Sequence, residues 1–153
     1  MSSETIGILR RILLVTLLLG LAGTGAELVL LEHFEDTLQW LPLILIGLAL
    51  LTLAWYGVSR GRGSLRAVQG AMVLFIVLGA VGVVLHLDGN VEFELEMSPG
   101  LAGLALFKAA MMGATPTLAP GSMVQLGLIG LAWTFRHPVL STDAVSFQPE
   151  TGE

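Results

Sequence analysis

The chain contains no cysteine, so disulfides, thiolate metal sites and cysteine nucleophiles are excluded. Only 12% of its 153 residues are charged, about half the ~25% of an ordinary soluble domain. A soluble domain of this size must cover itself with polar surface, and this chain has too little to do so. Basic residues are scarce and there is a single lysine, Lys108, so nucleic-acid binding has no support. No Walker loop is present, and no serine, histidine and acid fall into an assignable triad.

What is present is apolar sequence: 54% of the chain is hydrophobic. Uncharged or nearly uncharged runs reach the ~18 residues that mark a membrane-spanning helix. Four spans are expected, at about 12–31, 38–58, 67–87 and 118–135. The first follows Arg10-Arg11 and contains one charge, Glu27. Its start resembles a signal peptide, but the apolar run continues to Leu31, which favours an uncleaved span. In the second span, Trp40 and Tyr56 lie near the ends, as belt aromatics do, and Pro42 falls in the first turn, where a missing N–H costs little. Glycines 20, 23 and 25 of the first span and 70, 79 and 82 of the third suggest close helix contacts.

The outer loop, 88–117, departs from this pattern. Val91, Phe93, Leu95 and Met97 alternate with Glu92, Glu94 and Glu96, the period of a short extended segment. Ser98-Pro99 reads as an N-cap with proline at the first helical position, opening a helix over about 99–112, too short to span and either interfacial or re-entrant. The fold expected is therefore all-α: a single four-span membrane domain over 1–137, this short helix, one extended segment, and a polar, disordered cytoplasmic tail over 138–153.

Charge sets the orientation. Arg10, Arg11, Arg60, Arg62, Arg66 and Arg136 fall on one side of a four-span chain, and Glu32, Glu35, Asp36, Asp88, Glu92, Glu94 and Glu96 on the other. By the positive-inside rule both termini are cytoplasmic, and the compact loops fit a bacterial inner membrane.

Three constellations could carry chemistry. Glu27, inside a span, needs protein or water, and Lys108 is the outer-side base that could pair with it as an ion or proton site. His33 and His86 close the first and third spans on the acidic side. With Glu32 and Asp36 they could bind zinc or copper, and as two histidines at equal depth they could ligate haem. The bland alternative is that histidine simply sits at an interface, and no His-x-x-x-His spacing argues otherwise. Asp88-Gly89-Asn90-Val91-Glu92 resembles the start of a calcium loop, but Phe93 and Pro99 stand where the turn glycine and the bidentate glutamate belong. Met97, Met111, Met112 and Met123 are read as adaptable filler rather than copper ligands. No cofactor is required by the sequence.

The leading functional expectation is a non-enzymatic accessory subunit in the lipid bilayer, acting through its acidic outer face on a membrane-protein partner or a second copy. The segment 91–97, with Val91, Phe93, Leu95 and Met97 on its apolar side, is the expected contact. The alternatives are ion, proton or metal handling by Glu27, His33 and His86, and an interfacial enzyme acting on a lipid or quinone.

Overall fold

The computed structural model describes residues 3–141. Their regular elements are all helical: α1 (Ser3–Leu30), a 3-10 turn (Thr37–Gln39), α2 (Trp40–Ser59), α3 (Arg62–Met97), α4 (Gly103–Met111), α5 (Gly121–Thr134) and α6 (Pro138–Ser141). Three stretches, Ser3–Leu30, Thr37–Ser59 and Arg62–Met97, are long and apolar enough to cross a membrane. Only 11–28% of their most apolar windows is buried inside the protein. Helices apolar on their outer faces as well as their inner ones suit lipid as the surrounding medium. The expected fourth span is a helix of 14 residues, about 21 Å long, against the ~30 Å of a hydrocarbon core. Its shortness follows from Pro116 and Pro120, which hold residues 114–120 in turns.

The extended segment expected over 91–97 does not exist: α3 runs 36 residues, through Met97. Among the described residues there is no strand to pair with, and an unpaired strand leaves its backbone groups unsatisfied. Glutamate, leucine and methionine are strong helix formers, and extending an existing helix needs no new nucleus. At 100° per residue the alternating residues separate into two faces, Val91 with Leu95 and Phe93 with Met97, so no single apolar side survives.

Ser98-Pro99 likewise opens no helix. Leu101 N–H donates to Ser98 O at 2.9 Å, which makes Ser98–Leu101 a tight turn with proline at its second position. Proline presets the same φ in a turn as in a first helical turn, so the sequence signal serves both. The helix begins later, at Gly103, whose φ of +59° redirects the chain at a position only glycine fills cheaply.

The chain divides into two compact units: residues up to Met72 with those from Ile129 onward, and Val73–Leu128. In the first unit α1 and α2 are antiparallel, with Gly25 facing Ile46. Leu17, Leu21, Ala49, Leu65, Val68, Met72 and Trp133 form its core, and Gly130 lies directly against the Met72 side chain. In the second unit the close approach is between α3 and the start of α5, where Gly79 and Gly82 face Pro120. Two expected contact glycines, Gly23 and Gly70, face open space instead. The tail expected from residue 138 starts with the short helix α6; the remainder, 142–153, lies outside the described residues.

Candidate functional site

The arginines of the first unit gather at one end. Arg10, on α1, donates to Phe135 O at 3.2 Å and Arg136 O at 2.6 Å. Arg62, at the start of α3, donates to Val139 O at 2.9 Å and Leu140 O at 3.2 Å. Both guanidiniums thus satisfy carbonyls that helices leave unpaired at their C-terminal ends, where the helix dipole also favours a cation. Arg60 is placed differently. It follows α2 with φ +46°, and its N–H closes that helix by donating to Tyr56 O at 2.8 Å. Glycine is the usual residue in this left-handed cap.

Beside these arginines lies an aromatic cluster. Tyr56 meets Trp133 edge-on with ring centroids 5.4 Å apart, and His137 lies 5.6 Å from Tyr56 and 5.8 Å from Trp133. His137 Nδ1 accepts the Val139 N–H at 3.4 Å. The neutral ring then carries its hydrogen on Nε2, which donates to the Tyr56 hydroxyl at 3.2 Å. Burial, and secondarily the Arg10 charge, push the His137 pKa below its ordinary 6.5. The folded chain therefore binds this proton less well than the unfolded chain does. The stabilisation is fully present above pH 6.5 and is lost as pH falls through the lower folded pKa. Denaturant unfolding of the detergent-solubilised protein should show stability falling below pH 6.5. In His137→Asn, whose Oδ1 can still accept from Val139, that slope should be shallower.

Next to the cluster is a cleft of about 560 Å³, walled by Leu14 and Leu18 of α1 and by Leu50, Leu53 and Ala54 of α2. Tyr56, Arg60 and Trp133 also line it.

The residues singled out in the sequence are placed as follows. Glu32 takes φ +52° just after α1, its N–H donating to Val29 O, while the His33 N–H donates to Leu28 O. This double bond pattern is a Schellman cap, and it fixes His33 immediately beyond the helix end. Asp36 precedes the 3-10 turn; its N–H and that of Glu35 both donate to Gln39 Oε1, at 3.2 and 2.8 Å. Glu27, in the first unit, is exposed on α1, and Lys108, in the second, is exposed on α4. His86, in the second unit, donates from Nδ1 to Pro116 O at 3.2 Å. Among the described residues, no three His, Asp or Glu side chains converge on a point where a metal could sit. Val91, Phe93, Leu95 and Met97 are distributed around the last turns of α3.

Sequence reasoning missed the structural role of Asn90, which is buried and holds the 110–117 segment against α3. It also missed the aromatic cluster, because Tyr56, Trp133 and His137 are far apart in the chain. Gly57-Val58-Ser59-Arg60-Gly61 has the Gly-x-Ser-x-Gly spacing of a nucleophile elbow. That motif needs a strand before its turn, whereas here a helix precedes it, and the Ser59 hydroxyl donates to Ser64 Oγ at 2.7 Å.

No family model, no curated protein and no solved structure matches this chain.

Proposed function

We propose that this chain is a non-enzymatic accessory protein that binds a membrane-protein partner, or a second copy, through residues 88–113. In this reading it crosses a bacterial inner membrane four times, with both termini on the cytoplasmic, arginine-rich side. α5 and the turns before it form the fourth crossing; non-helical backbone at membrane depth is tolerated where protein covers it.

One observation carries the proposal. α4 buries Ala110 against its own unit but leaves Leu104 82% and Phe107 52% exposed, and Met112, just beyond its end, is 77% exposed. The same unit holds the acidic last turns of α3, with Asp88, Glu92 and Glu96 exposed. Apolar side chains kept outward beside acids suit a partner whose surface is apolar with a basic rim. Glu27 supports the same reading: it is exposed one turn inside the end of α1, where a carboxylate needs water or another chain.

The test places a photo-crosslinking residue at position 104, itself exposed on α4, in native membranes. A single stoichiometric adduct is expected, lost in Phe107→Glu. If only lipid adducts form, the proposal fails. The second reading, ion or proton handling, rests on the exposure of Glu27 and predicts impaired cation flux in Glu27→Gln; an accessory protein keeps its complex in that variant.

A further inference from the structure

We infer that the cleft of the first unit binds an anionic phospholipid, one acyl chain lying against the leucines and the phosphate reaching Arg60. The cleft is chemically divided along its length. Leu18, Leu50 and Leu53 supply apolar wall, and Tyr56, Arg60 and Trp133 supply a hydroxyl, a guanidinium and an indole N–H. A free anion would leave the leucine wall unmatched. A neutral apolar occupant would leave the cation unmatched. An amphiphile with an anionic head matches both.

Among the described residues lining the cleft, Arg60 alone carries a charge. Arg10 and Arg62 are committed to backbone carbonyls. Among the described residues no hydrogen bond or ion pair engages the Arg60 side chain, which is exposed. Its backbone adds a second reason. An arginine at φ +46° sits where glycine would be less strained, so its side chain is what that position gains. Trp133 is only 5% exposed, and its indole N–H has no acceptor among the described residues, leaving it free to donate to a lipid ester or phosphate oxygen.

The left-handed backbone also supplies a clean variant. Arg60→Gly removes the guanidinium while relaxing the backbone, so a lost interaction cannot be blamed on misfolding. Gly57 lines the cleft, and a Cβ there meets nothing within 4 Å. Gly57→Leu therefore fills the cleft without a backbone clash. Arg66→Gln removes an exposed arginine of the same end that does not line the cleft.

The experiment is native mass spectrometry of the full chain, delipidated in mild detergent and titrated with phosphatidylglycerol or phosphatidylcholine of identical acyl chains. The wild type should retain phosphatidylglycerol about fivefold better, the value of one arginine against an anionic headgroup. Arg60→Gly should bring that ratio near one, Arg66→Gln should keep it, and Gly57→Leu should weaken both lipids. The inference is overturned if the wild type shows no preference, if Arg60→Gly keeps it, or if Arg66→Gln abolishes it equally, which would mean general surface charge. It is also overturned if Gly57→Leu binds both lipids as the wild type does, or if inorganic phosphate alone displaces the lipid.

Discussion

Replacing Asn90 with alanine should destabilise the second unit by about 2 kcal/mol, the cost of losing the hydrogen bonds that one buried side chain makes to the 110–117 segment. Asn90 is 2% exposed and every polar atom of its amide is used. Nδ2 donates to Ala110 O at 2.9 Å and Thr115 O at 2.7 Å, with Thr117 Oγ1 at 3.0 Å sharing one of those hydrogens. Oδ1 accepts the Thr115 N–H at 3.1 Å and the Thr115 hydroxyl at 2.7 Å. One side chain therefore does for the 110–117 segment what a helix or a sheet would do elsewhere. Alanine orphans the Thr115 carbonyl, amide and hydroxyl, whereas Ala110 O keeps the Gly113 N–H and the Thr117 hydroxyl. Asn90→Asp is the sharper variant, because it keeps the shape and the Oδ1 acceptor but replaces both N–H donors with a second acceptor facing two carbonyls. Both variants should speed hydrogen exchange at the Thr115 amide well before global unfolding. If Asn90→Asp exchanges like the wild type, the amide donors are not what holds the segment. Gly113 belongs to the same device: a Cβ there would stand 2.7 Å from Asn90 Cγ.

The helical class and the three long apolar helices were legible in the sequence because the signal is additive over many residues. The failures are local and share a cause. The alternation at 91–97 is a period-two pattern, but periodicity reports which faces are apolar only once a partner surface exists, and none was available to a strand there. Ser98-Pro99 failed because proline marks a turn as well as it marks a helix start. In the sequence Asn90 reads only as part of a failed calcium loop, since its acceptors lie 20 to 27 residues further along the chain. The cleft was invisible for the same reason, although two of its parts carried hints: Arg60 among the loop arginines and Tyr56 at a helix end. No single-sequence rule joins those residues to Trp133. In the sequence the arginine bias reads as topology alone. The structure adds that Arg10 and Arg62 close helix ends while Arg60 stays unengaged.

Glycine substitutions in α3 should change sign along the helix. At Gly79 a Cβ would stand 2.9 Å from Pro120 O and 3.0 Å from the Val124 backbone N, and neither atom can rotate away as a side-chain tip could. Gly79→Ala must therefore push α3 and α5 apart within the second unit, at a cost of about 2 kcal/mol, within the range for overpacked sites. At Gly70 a Cβ meets nothing within 4 Å. Gly70→Ala should instead stabilise the protein by about 0.5–1 kcal/mol, because alanine restricts the unfolded chain and suits a helix better. The two glycines look alike in the sequence, each followed by alanine in one uninterrupted helix. Denaturant unfolding in a single detergent decides between packing and propensity. If both variants stabilise, the α3–α5 approach at Pro120 is looser than described. If both destabilise, position 70 is covered by something other than this chain, and a second copy or a partner lies along α3.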